Sequence, residues 1–210
     1  MSLFITFEGG EGSGKSVQAK ALFRRLSKLA IPVLLTHEPG GTTFGERLGR
    51  WLKWAQDVDI SPLTELMLFN ASRAQLVAEV IQPNLKSGKV VISDRYADST
   101  TVYQGYGRGL DLAMVKATNK AATQGLKPNL TILLDIVVEE GLARKVAKKQ
   151  DRFEQEALAF HRKVREGYLK LAEAEPKRWL VVDASQPRRE IADIIWQRVS
   201  RLISSREGFN

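Results

Sequence analysis

A doubly wound α/β fold, with five parallel strands and helices on both faces, is predicted by three observations. Five short apolar runs, Leu3–Phe7, Pro32–Thr36, Val90–Ser93, Leu130–Leu134 and Trp179–Val182, are nearly continuous rather than alternating, as strands covered on both faces are. Longer amphipathic stretches separate them, and strands alternating with helices mark parallel βαβ units. The first run leads directly into Gly9-Gly10-Glu11-Gly12-Ser13-Gly14-Lys15-Ser16, a glycine-rich turn between a strand and a helix.

Taken in order, the first helix is expected over Ser16–Leu29. Leu63–Leu85 is predicted helical with a break near Pro83, whose ring removes a backbone donor. Asp111–Gln124 follows, ended by Gly125. Phe153–Ala174 reads as one long helix. Pro187–Ile203 closes the fold, with Ile191, Ile194, Ile195, Val199, Leu202 and Ile203 on roughly one face. No repeat, linker or low-complexity segment interrupts the chain, so residues 1–210 are expected to form a single domain with a sizeable core.

Composition excludes several classes. With no cysteine there is neither a disulfide nor a thiolate metal site. His37 and His161 are isolated, which argues against a histidine metal centre or a catalytic triad. No stretch approaches the roughly 18 apolar residues of a membrane span, and the N-terminus lacks a signal pattern. A cytoplasmic protein without a membrane partner is therefore expected. The formal charge of +8 suggests anionic ligands. No RRM, KH, zinc-finger or basic-zipper pattern points to nucleic acid.

The glycine-rich turn carries the chemistry. It fits G-x-x-x-x-G-K-[ST] in the setting that this pattern requires, which makes the fold a P-loop NTPase fold. Its glycines let successive N–H groups point at one anion, and the following helix adds the positive end of its dipole. Gly9, Gly10, Glu11, Gly12, Ser13, Gly14, Lys15 and Ser16 are thus candidates for binding the triphosphate of ATP. Lys15 would reach the outer phosphates, and the Ser16 hydroxyl would hold Mg²⁺. Asp94 follows an apolar strand, where P-loop proteins place a carboxylate near the metal. Arg95 beside it can clamp phosphates bidentately, although an Asp–Arg pair can also simply close a strand.

Three further segments stay open on residue type alone. Leu142 to Phe153, including Arg144, Lys145, Lys148, Lys149 and Arg152, carries five basic residues in nine positions. It fits a lid that brings cations to a transferring phosphoryl group, or a solvated basic face. Phe69 and Arg73, four apart on a helix, fit a base-reading pair, yet Phe69 also fits a core position. Tyr96–Gln104 is rich in hydroxyls suited to sugar and base edges, and equally suits a helix start capped by Asp98 or Ser99.

Together these pieces resemble the thymidylate kinase family, nearly from end to end. The family's segments stand in order: Glu8-Gly9…Lys15-Ser16, Glu38-Pro39-Gly40-Gly41-Thr42, Phe69…Arg73, Asp94-Arg95-Tyr96…Ser99…Tyr103-Gln104 and Asp151-Arg152-Phe153-Glu154. The resemblance implies transfer of the ATP γ-phosphoryl group to dTMP by a homodimer that uses Mg²⁺. It implies dTMP contacts from Glu11, Glu38, Pro39, Phe69, Arg73, Arg95, Ser99, Thr100, Tyr103 and Gln104. Among these, Phe69 would stack on thymine and Arg73 would donate to its carbonyl. Tyr103 would crowd the sugar 2′ position, Glu11 would meet the sugar hydroxyl, and Arg95 would grip the acceptor phosphate. Lys15, Arg95, Glu11, Arg144, Lys148 and Lys149 would serve catalysis, Arg144 also stacking on adenine beside the Asp183–Gln186 turn. Ser16 and Asp94 would serve the metal. The chain departs from the family at His37 and Gly49, where arginines usually serve the acceptor phosphate. Arg47 or Arg50 are the expected substitutes, although a one-residue shift turns a helical side chain by about 100°. The lid is one residue shorter than the common bacterial form.

Other readings of the glycine-rich turn fare worse. A GTPase switch needs D-x-x-G and N-K-x-D; the chain contains no D-x-x-G, and Asn119-Lys120 is followed by Ala121-Ala122. Another deoxynucleotide kinase, and more remotely an ATPase acting on nucleic acid, remain as alternatives.

Overall fold

A computed structural model describes residues 2–55, 58–145 and 151–207. Five parallel strands, β1 (Leu3–Glu8), β2 (Val33–His37), β3 (Val90–Asp94), β4 (Leu130–Asp135) and β5 (Trp179–Asp183), form one sheet in the order β2-β3-β1-β4-β5. The expected fold class is what the chain adopts. Each strand runs one residue beyond its apolar run, onto Glu8, His37, Asp94, Asp135 or Asp183. Hydrophobicity cannot mark these positions, yet the ladder continues through them, pairing Phe7 with Asp94 and Asp135 with Asp183. Of these polar ends, His37 and Asp94 line the crevice beyond the strand termini. The order reverses beside β1, and that is where a ligand binds in such sheets.

All of β1 is buried, with its side chains alternating between two cores. Leu3, Ile5 and Phe7 pack with Leu22 and Leu26 of α1 (Lys15–Lys28) and with Ile191, Ile195 and Val199 of α9 (Arg188–Glu207). The predicted apolar face of the last helix is therefore the face that seals the sheet. On the other side, Phe4 packs with Leu76, Val77, Ile81 and Tyr96, its ring edge-on to Tyr96 at 4.9 Å.

The remaining helices are α2 (Thr43–Trp54), α3 (Pro62–Leu76), α4 (Gln82–Lys86), α5 (Ala97–Thr100), α6 (Leu112–Thr123), α7 (Val138–Ala143) and α8 (Leu158–Ala174). The break expected near Pro83 is a π-helical turn, Val77–Ile81, joining α3 to α4. A widened turn there accommodates the donor that proline lacks. A second π segment, Thr101–Gly107, extends α5. Neither Asp98 nor Ser99 caps that helix, whose N-cap residue is Tyr96 without a side-chain cap. Asp98 instead pairs with Arg178 at 2.6 Å. The long helix does not begin at Phe153 as expected. Asp151 Oδ1 accepts the N–H groups of Phe153 and Glu154, each at 3.0 Å, and this turn delays the helix to Leu158. Among the described residues, no helix is long and apolar enough to cross a membrane.

Candidate active site

A cleft of about 1100 Å³ opens where the strands end. That exceeds the usual pocket for one drug-sized ligand. One end is built by the glycine-rich loop, Arg144 and the Ala184–Gln186 turn; the other by His37, Glu38, Pro39, Phe69, Ser99, Thr100, Tyr103 and Gln104.

The loop is held tightly from behind. A Cβ on Gly12, which has φ +67, would lie 1.9 Å from the Gly141 carbonyl oxygen of α7. Lys15 folds over the loop, its Nζ donating to the carbonyls of Gly9 at 3.0 Å and Gly10 at 2.6 Å. Gly9 and Gly10 thus lie behind the cleft wall, whereas Gly12, Ser13, Gly14 and Ser16 are on it. Burial, and then the charge of Arg95, lower the Lys15 pKa to about 8, with Glu11, Asp94 and Glu8 opposing. Ser16 Oγ donates to Asp94 Oδ2. A hydroxyl and a carboxylate therefore meet beside the loop. Among the described residues no cluster of three or more His, Cys, Asp or Glu side chains could hold a metal ion. That donor set suits Mg²⁺, which is held by few protein oxygens and by substrate phosphates.

Arg95 is aimed by strain. Its φ of +73 lies in the left-handed region, uncommon for a side chain other than glycine. Three hydrogen bonds lock the turn: Arg95 N to Phe7 O at 2.9 Å, Ser93 Oγ to Arg95 O at 2.8 Å, and Tyr96 N to Glu8 Oε1 at 2.8 Å. The guanidinium donates to Glu11 Oε1 at 2.8 Å and lies over the Tyr103 ring at 5.0 Å. Tyr103 OH donates to the same Glu11 oxygen at 2.7 Å. Burial works to raise the Glu11 pKa, but Arg95 and then Lys15 outweigh it and hold this carboxyl down to about 2. Glu11 is therefore a fixed anion between the two cations.

The base-side wall is mixed. Phe69 is half-buried: it lines the cleft and packs against the core cluster through Phe153, ring centroids 5.6 Å apart. Arg73 is only 1% exposed. Its Nε donates to Glu38 at 2.9 Å, its Nη1 to Asn70 at 3.1 Å and Asn119 at 3.0 Å, and its Nη2 to Tyr96 O and Thr100. Arg73 thus welds the Glu38-Pro39 loop to α3, α5 and α6 as well as reaching the cleft. Gln104 Nε2 donates to the buried Glu65 at 2.7 Å. Arg144 Nη1 donates to Ala184 O at 3.1 Å, beside the turn expected to line adenine.

Two expected lid residues, Lys148 and Lys149, lie outside the described residues. Lys145 is on the cleft wall, paired with Glu154 at 2.6 Å. Neither Arg47 nor Arg50 lies on the wall; both are exposed on α2. His37 is on the wall but engaged, its Nε2 at 2.9 Å from Glu46 Oε1. Gly49 packs against the Glu38-Pro39 loop and does not line the cleft: a Cβ there would sit 2.9 Å from the Pro39 carbonyl oxygen.

Sequence reasoning gave no role to Glu8 or Tyr168. Glu8 Oε2 accepts from Ser99 Oγ at 2.6 Å and from Tyr168 OH at 2.9 Å. Arg95 Nη1 donates to Ser99 Oγ at 3.2 Å. Glu8 thereby supports the arginine turn from below. The available signal was a lone acid ending an apolar strand. Tyr168 reaches the site from α8 and leaves no local pattern.

Comparison with known proteins agrees with this architecture. The sequence model of the thymidylate kinase family matches residues 7–195. A thymidylate kinase of Dehalococcoides mccartyi (strain CBDB1) is 55% identical over 206 residues, covering 98% of this chain and 99% of that protein. One from Roseiflexus sp. (strain RS-1) is 45% identical over 218 residues, covering 98% and 96%. The crystal structure of thymidylate kinase from Ehrlichia chaffeensis superposes with a TM-score of 0.72 at 34% identity, covering 86% of this chain and 92% of that one. The glycine-rich loop, the strained arginine turn and the aromatic wall thus occur in a chain that matches these enzymes over almost its whole length, and it belongs to the thymidylate kinase family.

Proposed function

We propose that this chain transfers the γ-phosphoryl group of ATP to dTMP, giving dTDP and ADP, and so supports dTTP synthesis. The observation that carries the reading is the Glu11 bridge. It holds Arg95 and Tyr103 at one end of the cleft within the field of Lys15 at the other. Donor and acceptor phosphates drawn to the two cations meet between them. A dTMP phosphate oxygen attacks the γ-phosphorus, the bond from that phosphorus to the bridging oxygen of ADP breaks, and the group moves in line. A phosphate monoester is already a nucleophile at neutral pH, so no general base is required. Catalysis is positioning and charge stabilisation.

The role of each residue follows. Gly9, Gly10, Glu11, Gly12, Ser13, Gly14, Lys15 and Ser16 wrap the ATP phosphates, and Arg144 covers adenine. Ser16 and Asp94 hold Mg²⁺, which supplies charge neutralisation on the phosphates. Phe69 stacks on thymine, with Arg73, Ser99, Thr100 and Gln104 around its polar edge and Glu38-Pro39 closing the side. Tyr103 blocks a 2′ hydroxyl, and Arg95 grips the acceptor phosphate. Residues 1–210 act as one domain whose lid, about 142–153 and including Lys148 and Lys149, brings further cations and excludes water. The protein works in the cytoplasm, without membrane or nucleic acid, as a homodimer. Supporting the dimer, Phe44, Trp51 and Trp54 of α2 and Leu63 and Met67 of α3 are exposed, an apolar set that a second copy would cover.

A coupled ADP-release assay with ATP, Mg²⁺ and a panel of nucleoside monophosphates tests the reading. Strong turnover with dTMP, weaker with dUMP and background with dCMP, dGMP and AMP is expected. Preference for another monophosphate would replace it with a different deoxynucleotide kinase.

A further inference from the structure

The acceptor end of the cleft must hold a dianionic phosphate, yet most of its cations are already engaged. Arg73 is consumed by buried acceptors, and Arg95 is shared with Glu11. His37 is paired with Glu46. Among the described residues, a further cation on the cleft wall is Lys53, in the last turn of α2.

Its placement follows from the packing of α2. Gly45 and Gly49 let this helix press against the Glu38–Gly40 loop: a Cβ on Gly45 would lie 2.7 Å from Gly40 O, and one on Gly49 would lie 2.9 Å from Pro39 O. Helical side chains lean towards the N-terminus and lie over the residue four positions earlier. The Lys53 stem therefore runs back over Gly49, where no side chain stands in its way. Lys53 lines the cleft, as do His37, Glu38 and Pro39. The end of α2 is anchored from the lid side, with Arg152 N donating to Lys53 O at 3.1 Å and Arg152 Nε to Leu52 O at 3.3 Å. Asp151 lies close enough to feel the Lys53 charge. No described carboxylate forms an ion pair with Lys53.

We propose that Lys53 binds the 5′-phosphate of the acceptor nucleotide, working opposite Arg95 across the cleft. This rests on the reading of the chain as a dTMP kinase. Compact helix packing at Gly49 and a cation one turn later form a single device: the glycine brings the helix in, and the lysine supplies the charge. Asp151 competes for the ammonium until the phosphate arrives.

The test is calorimetric titration of dTMP and of thymidine, which lacks the phosphate, into wild type, Lys53→Met and Lys53→Arg. Losing one charge-assisted contact is expected to weaken dTMP binding by about 10- to 100-fold in Lys53→Met. Thymidine binding should stay at its wild-type value, and Lys53→Arg should restore most of the dTMP affinity. Arg47→Ala and Arg50→Ala serve as controls that leave both ligands unaffected. Unchanged dTMP affinity in Lys53→Met overturns the assignment. An equal loss for thymidine also overturns it, because it shows a structural role. Wild-type protein that binds neither ligand instead overturns the dTMP kinase reading itself.

Discussion

Replacing Glu11 by glutamine keeps the side-chain shape and the oxygen that Arg95 Nη2 and Tyr103 OH use, and removes only the charge. The carboxyl stands at about 2 against an ordinary 4.5, although burial works against the charge. At ~1.4 kcal/mol per unit, the surrounding cations supply about 3 kcal/mol of net preference for the charged form. Arg95 contributes more of this than Lys15. The coupling is reciprocal, so what Lys15 does for the carboxylate Glu11 does for the ammonium. Lys15 already stands at about 8, lowered by burial and then by Arg95, with Glu11 the leading opposing influence. Assigning about 1 kcal/mol of the total to Lys15 moves its pKa down by roughly one unit in Glu11→Gln. The protonated lysine is the active form, so activity is lost as pH rises through its pKa. The assay is the pH profile of kcat/KM for ATP, which reports groups of the free enzyme. Its alkaline limb should move from about 8 in wild type to about 7 in the variant. Thermal stability checks that the fold is kept. A variant with normal stability and an unmoved alkaline limb would refute the bridge between the two cations.

Three other outcomes are expected. Arg95→Ala should lower kcat at least a hundredfold with ATP binding retained, since one transition-state donor is worth roughly that; near-normal turnover would remove the clamp assignment. Gly49→Ala should destabilise the protein by about 1–3 kcal/mol in urea titrations, although alanine is the better helix former, because its Cβ meets backbone; stabilisation would mean that α2 can shift freely. Glu8 is raised from 4.5 to about 7, chiefly by burial and then by Asp98. A raised acid contributes stability below its unfolded pKa that is lost as pH rises through the folded one, here about 3 kcal/mol. The melting temperature of wild type should therefore fall more steeply than that of Glu8→Gln between about pH 4.5 and pH 7, and parallel curves would contradict the buried acid.

The order of strands and helices was legible because both signals are local. A continuous apolar run and a glycine-rich turn are complete within about ten residues, and the glycine-rich loop names its own chemistry. Hydrophobicity alone gives each strand end one residue early, because the ladder continues onto a polar residue, Glu8, His37, Asp94, Asp135 or Asp183. The start of α8 was misjudged because Asp151 forms a turn by side-chain bonds that no periodicity encodes. The site was legible where residues neighbour one another, as at Asp94-Arg95. It was not legible where distant segments meet: Tyr168 from α8 beneath Arg95, or Lys53 over a glycine whose only visible property was the arginine it lacked. Arg73 shows the same limit from the other side. Its spacing from Phe69 suggested a ligand contact, but only the fold shows how many buried acceptors it also serves.

The most direct test of the account follows the label from γ-labelled ATP in a mixture with dTMP, Mg²⁺ and the wild-type protein, alongside Arg95→Ala. The account predicts label in the outer phosphate of dTDP with wild type and almost none with the variant. Label released as inorganic phosphate at the same rate with and without dTMP would contradict it.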